Sequence, residues 1–207
     1  LDPHPSCVSP TSTSLRRSLM RLTLASSSPR RQQLLSMIVP DFDSASPDID
    51  ERLLLEESPK QYVSRLAESK ARVCDRQSDL TLGADTAVAL GQRILGKPVD
   101  RDEATMMLKS LSGRTHEVYT AVALLREGSV QCVCTCTSVT FTALSHATID
   151  DYLATDEPWD KAGAYGIQGY AGAFVQQIVG SYSAVVGLPL CETRHLLQRA
   201  GLTMRHG

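Results

Sequence analysis

Nowhere in its 207 residues does this sequence run apolar for the roughly 18 residues that a membrane-spanning helix needs, so no helical anchor is expected. An excess of either charge is missing too: 21 lysines and arginines face 23 aspartates and glutamates, a net charge of −2. A protein that grips a long polyanion carries a broad basic field, so polymeric nucleic acid is not an expected partner. A small anion held by a few local cations stays open. The opening segment LDPHPSCVSPTSTSLRRSLM has no apolar h-region, which argues against a secretory signal. Rich in Ser, Pro and Thr, residues 1–19 are expected to form a disordered extension, with a single folded domain over 20–207 and a cytoplasmic setting. The five histidines are scattered, and no pair has ligand spacing. Internal repeats and true linkers are also absent.

Cys132, Cys134 and Cys136 alternate along one expected strand. In an extended chain that spacing spreads the sulfurs too far for one tetrahedral ion. They are expected to be small buried packing residues in a reducing compartment.

What is present is a steady alternation of strand and helix signals, which argues for an α/β fold with a mixed sheet. Strands are expected over 21–25, 80–90, 93–95, 115–125, 130–141 and 174–179. The runs 115–125 and 130–141 read as an antiparallel hairpin. Helices are expected to start after Ser28 and Ser58, each followed by Pro at the first helical position. A third is capped by Asp100 with Glu103 completing a capping box, and stopped by Gly113. Shorter helices are expected over 148–154 and 189–200. Residues 41–52 read as an acidic connection, and 161–172 as a loop too glycine-punctuated for a regular element.

Several residues fit chemistry better than packing. In LASSSPRRQQLL, Ser26, Ser27 and Ser28 lead into a helix N-terminus, where free N–H groups and the dipole favour an anion. Arg30 and Arg31 oppose that dipole by a few tenths of a kcal/mol or more each unless an anion joins them. A capped surface helix with two solvated arginines is the plainer alternative.

Asp85 interrupts an apolar strand, on the face shared by Gly83, Ala87 and Ala89, where small residues are expected to leave open space. A carboxylate there must be paired, metal-bound or protonated, and is a candidate general base or metal ligand. Lys70 falls on the apolar stripe of Val63, Leu66 and Cys74. It either snorkels to the edge or aims its ammonium at an anion in a cleft. Lys97, in ILGKPVD, lacks the spaced glycines and following Ser/Thr of a Walker A loop. Asp48, Asp50 and Glu51 form an acidic cluster whose oxygens suit Mg²⁺ or Mn²⁺ beside a phosphate.

The runs LASSSPRRQQLL, DIDE, SKA, LGADTAVAL, GKP, LSGRTHEVYTAV, DKAGAYGIQG and SYSAVVGLPL, in this order from Leu22 to Leu197, resemble the Maf family of nucleotide pyrophosphatases. The resemblance implies an elongated mixed sheet flanked by helices, with two lobes and a central cleft. It implies hydrolysis of nucleoside triphosphates to monophosphate and pyrophosphate with a divalent metal, Mg²⁺ or Mn²⁺. It makes Asp85 the catalytic base and, with Glu51, a metal ligand. Ser28, Arg30, Arg31, Lys70 and Lys97 match other cleft residues. Arg30, Thr86 and Gln168 match the branch that acts on dTTP and UTP; the 7-methyl-GTP branch carries an acidic residue where Gln168 stands. A buried Gln168 amide is expected to read the pyrimidine edge. A homodimer, other modified nucleotides as substrates, and a nucleotide-binding role in septum formation without turnover stay open.

Overall fold

The computed structural model describes residues 20–75, 79–202 and 204; the extension expected over 1–19 lies outside the described residues. Along the chain run β1 (Leu22–Ala25), α1 (Pro29–Ser36), β2 (Asp43–Ala45), α2 (Pro59–Val73), β3 (Leu80–Leu90), β4 (Arg93–Leu95), α3 (Arg101–Leu111), β5 (Thr115–Arg126), β6 (Ser129–Phe141) and α4 (His146–Leu153). Three 3₁₀ turns follow at Pro158–Asp160, Ala162–Ala164 and Tyr170–Phe174, then β7 (Val175–Val179), α5 (Tyr182–Val186) and α6 (Leu190–Arg199).

All seven strands join one mixed sheet in the order β2-β1-β3-β5-β6-β7, with β4 also paired to β3. The β2, β1 and β3 ladders are parallel and the others antiparallel, as the expected hairpin requires. One edge of β3 is covered by β5 from Thr81 to Ala89. The other is covered in two pieces: β1 reaches only to Gly83, and β4 begins only at Val88. On that second edge residues 84–87 therefore face a gap in the sheet, with no described strand paired there. Ligand sites in open α/β sheets favour such points, where neighbouring elements part.

The helices pack against the two faces as their stripes dictate. Val63, Leu66, Ala67, Lys70 and Ala71 form the buried side of α2, so Lys70 does lie on the apolar stripe. The small face of β3 admits this helix rather than leaving space: a Cβ on Gly83 would stand 2.1 Å from the Ala67 carbonyl oxygen. The expected opening over that face is therefore filled at Gly83, and only the end near Asp85 meets the cleft. On the opposite face, two apolar clusters divide the sheet. Leu22, Leu24, Leu35, Leu82, Leu124 and Leu197 fill one, with β1, α1 and α6. Val88, Leu108, Leu111, Val118, Phe141 and Tyr152 fill the other, with α3 and α4.

Some expectations need correction. Glu103 does not close a capping box at Asp100, because its carboxylate accepts from the Val99 amide at 2.8 Å. The box belongs to α2 instead, where Ser58 and Gln61 exchange both bonds. Strand β2 lies inside the expected acidic connection; three residues with one buried side chain give no readable period. Helix α5 was likewise too short, at five residues, to show one. The glycine-punctuated segment winds through 3₁₀ turns, and α4 begins at His146 behind a Ser145 cap. Cys132 and Cys134 are half-buried against the α2 face, but Cys136 is exposed where β6 runs past that helix.

Candidate functional site

The gap beside residues 84–87 opens into a cleft of about 890 Å³, within the size range of small-molecule sites. Its first wall is the turn from β1 into α1. Ser28 caps α1, its hydroxyl facing the Arg31 amide, and Ser26 Oγ accepts from the Ser28 amide at 3.2 Å. The two arginines then part. Arg31 turns inward, donating from Nε to the Gly187 carbonyl at 2.9 Å and from a terminal nitrogen to Thr86 Oγ1 at 3.2 Å. Burial lowers its pKa, against the pull of Asp85. Arg30 stays in contact with solvent and reaches Asp160 at 3.3 Å, on the far wall. The pair is thus neither two solvated arginines nor two equal phosphate clamps.

Thr86 sits behind Arg31. Its hydroxyl lies 3.1 Å from that of Thr120, which also donates to the Ala184 carbonyl at 2.7 Å. A run of hydroxyls from β5 through β3 therefore fixes the Arg31 guanidinium.

The second wall is ionic. Lys70 and Asp85 are each 6% exposed as residues. Lys70 Nζ donates to Asp85 Oδ1 at 2.6 Å and pairs with Glu51 Oε1 at 2.8 Å. Of the two readings of Lys70, the inward one holds, and carboxylates are its partners. Burial pushes the Asp85 carboxyl above its ordinary range, while Lys70 and Arg31 limit the rise. A carboxyl tuned upward suits proton transfer near neutral pH. Burial also works to raise Glu51, but the Lys70 hydrogen bond and charge, with Lys97 and Arg31, hold it below its usual value.

The Glu51 segment is itself held from α2. Tyr62 donates its hydroxyl to the Glu51 carbonyl at 2.9 Å. Arg65 grips both Glu57 oxygens at 2.6 and 2.7 Å and donates to the Arg52 carbonyl at 3.1 Å. Burial, aided by the Asp85 and Glu51 charges, pushes the Tyr62 hydroxyl up to about 12.

The expected acidic cluster does not converge. Asp50 pairs outward with Arg52 at 2.6 Å, and of Asp48, Asp50 and Glu51 only Glu51 lines the cleft. Among the described residues no group of three His, Cys, Asp or Glu side chains could hold a metal by itself. Glu51 and Asp85, brought together by one ammonium, are an oxygen donor pair that fits Mg²⁺ or Mn²⁺, whose remaining ligands are ordinarily substrate phosphates and waters.

The third wall carries Lys97 and Gln168. Both line the cleft, and both are exposed. Gln168 is therefore not the buried amide expected; it stands at the rim, inside the turn closed by the Gly169 amide on the Gly166 carbonyl at 3.1 Å. The cleft also takes in Tyr62, Glu157, Asp160 and Lys161, which sequence reasoning did not single out. Of these, Asp160 and Lys161 open the quoted run DKAGAYGIQG, where no role was given to them.

Comparison with known proteins identifies a family. Residues 21–200 match the family described as Maf-like protein. A dTTP/UTP pyrophosphatase of Anaeromyxobacter dehalogenans is 51% identical over 188 residues, covering 89% of this chain and 96% of its own. One from Hahella chejuensis is 49% identical over 187 residues, covering 88% and 93%. One from Escherichia coli is 51% identical over 179 residues, covering 85% and 91%.

Proposed function

The chain belongs to the Maf-like protein family, and from that premise we propose that it hydrolyses dTTP and UTP to the nucleoside monophosphate and pyrophosphate. The single observation that carries the proposal is the buried Lys70–Asp85 pair at the gap in the sheet, with Glu51 on the same ammonium. With a net charge of only −2 over the whole sequence, this charge cluster, beside Arg30, Arg31 and Lys97, is the feature that calls for an anionic, metal-associated ligand.

In this reading the triphosphate enters beside the α1 N-terminus, where Ser28 and the helix dipole favour negative charge. Arg30 and Lys97, both reachable from solvent, turn to the phosphate oxygens. Arg31, fixed by Gly187 and Thr86, presents a charge that does not need to reorganise. Asp85 orients a water and takes its proton as the water oxygen bonds to the α-phosphorus. The bond from that phosphorus to the bridging oxygen breaks, and pyrophosphate leaves with the electron pair. Lys70 keeps Asp85 ionised against burial until the proton arrives. A divalent cation held by Glu51 and Asp85 would neutralise phosphate charge as a Lewis acid.

Gln168 is assigned to the nucleobase. Its amide offers a donor and an acceptor, the complement of the O4 and N3–H edge of uracil and thymine. A cytosine edge reverses that order and leaves polar groups unpaired, so CTP and 7-methyl-GTP should be poorer substrates. A cytoplasmic setting belongs to the same proposal, supported by half-buried thiols used as packing on β6.

The test is a pyrophosphate-release screen across nucleoside triphosphates with Mg²⁺ and with Mn²⁺. Rapid release from UTP and dTTP is expected. Tight binding of these nucleotides without release would leave a nucleotide-binding protein and overturn the enzymatic reading.

A further inference from the structure

The wall that carries Gln168 has a conspicuous organiser. Glu157 follows α4, eleven residues ahead of Gln168 in the chain, and its carboxylate is turned into the glycine-rich segment. Glu157 Oε2 accepts from the Tyr170 amide at 2.7 Å. Glu157 Oε1 accepts from the Ala171 amide at 3.2 Å and from the Tyr152 hydroxyl at 3.1 Å. Tyr152 is fully buried in the apolar cluster beneath, so the carboxylate ties the loop to the core. Lys161 Nζ closes the other side, donating to the Glu157 carbonyl at 2.7 Å.

Two glycines let these side chains lie close against the loop. A Cβ on Gly169 would stand 2.1 Å from Glu157 Oε2, and one on Gly166 would stand 2.6 Å from Lys161 Cε. Gln168 lies in the turn that these two glycines bracket. With both carboxylate oxygens taken by the loop and the core, Glu157 acts on the loop rather than on a ligand.

We infer that Glu157 is a positioning residue for nucleobase selection: by fixing the backbone just after Gln168 it holds that amide at the angle which separates uracil from cytosine. The inference rests on the assignment of Gln168 to the base. Loss of the carboxylate frees two adjacent amides and lets the turn rotate, and an amide that can rotate accepts either edge.

The experiment compares Glu157→Ala, Glu157→Gln, Gln168→Ala and the double alanine variant. It reads kcat and KM for UTP and CTP, and hydrogen exchange at the Tyr170 and Ala171 amides. Glu157→Ala should lower the UTP-over-CTP ratio of kcat/KM by about tenfold, the scale of one net hydrogen bond, chiefly through KM for UTP. Gln168→Ala should reach the same floor, and the double variant should fall no further. Both loop amides should exchange faster in Glu157→Ala. Glu157→Gln should restore part of the ratio, because its carbonyl can face the Tyr170 amide while its NH₂ donates to Tyr152. A Glu157→Ala protein with the wild-type ratio, beside a Gln168→Ala protein that has lost it, overturns the inference alone. An unchanged ratio in Gln168→Ala overturns the assignment of Gln168, and the inference with it.

Discussion

The Lys70 ammonium stands 2.6 Å from Asp85 Oδ1, and both side chains are less than a tenth exposed. Taking two such charges out of water costs several kcal/mol each, which their attraction offsets only when the geometry is good. A hydrophobic pair would pack here at less expense. The pair is therefore better explained by what the carboxylate does than by stability.

Asp85→Asn should reduce pyrophosphate release by about 10²–10⁴-fold, the usual contribution of a general base, with little change in melting temperature. The amide keeps the shape and still accepts from Lys70. Steady-state release from UTP, with circular dichroism as the fold control, checks it. Near-normal turnover in a folded variant would remove Asp85 from the mechanism.

Lys70→Met should destabilise the protein by roughly 3 kcal/mol at pH 8, because it strands a buried carboxylate. The direction with pH follows from the sign of the shift. Burial already raises the folded-state Asp85 pKa above its unfolded value, and loss of Lys70 raises it further. A group raised on folding contributes stability below its unfolded pKa and loses it as pH rises through the folded one. The gap between variant and wild type should thus narrow as pH falls toward 5, and Lys70→Met with Asp85→Asn should recover most of the loss. Urea unfolding at several pH values measures this; a pH-independent loss would be the contrary result.

The two arginines of α1 should separate. Arg31→Ala removes donors to Gly187 and Thr86 in a part-buried site and should cost about 2 kcal/mol. Arg30→Ala loses only a solvent-exposed pair with Asp160, worth about 0–1 kcal/mol, but should raise KM for UTP severalfold. If melting temperature fell more in Arg30→Ala than in Arg31→Ala, the assignment of roles would be reversed.

His116, behind the cleft residue Tyr165, supplies an acid-stability signature. It is fully buried, its Nε2 lies 2.8 Å from the Tyr165 hydroxyl, and its Nδ1 finds no hydrogen-bond partner among the described residues. Burial lowers its pKa from 6.5 to about 4. Since the folded value lies below the unfolded one, the unfolded chain takes up the proton first, and stability is lost as pH falls from about 6.5 toward 4. That amounts to about 3 kcal/mol at the acid end. His116→Gln should show a shallower decline of melting temperature across this window, while an equal decline would trace the loss to carboxylates alone.

Much of this site could be read from the sequence because its residues break local rules. A carboxylate inside an apolar strand and a lysine on an apolar helical stripe are both visible at one position, and the structure joins them. What could not be read is whatever depends on how far neighbouring elements extend. Gly83, Ala87 and Ala89 looked like open space, yet small residues equally admit a helix, and only the seating of α2 on Gly83 decides between them. The exposure of Gln168 and the role of Glu157 depend on a turn held by side-chain-to-backbone bonds, which leave no period. Asp48 and Asp50 look the same as Glu51 in composition, and only the hold of Tyr62 and Arg65 on the chain turns Glu51 inward.

The gap along β3 also bears on how the chain folds. The β5–β6 hairpin needs only local closure, whereas β1 must find β3 across the whole of α2, and parallel pairing at that separation forms slowly. The wall bearing Ser28, Arg30 and Arg31 hangs from β1, and the wall bearing Lys97 hangs from β4. The two borrow separate stretches of the β3 edge, β1 up to Gly83 and β4 from Val88, so each can be in place without the other. Recovery of hydrolysis after dilution from denaturant should therefore lag behind recovery of secondary structure, so that a chain already rich in sheet is still inert.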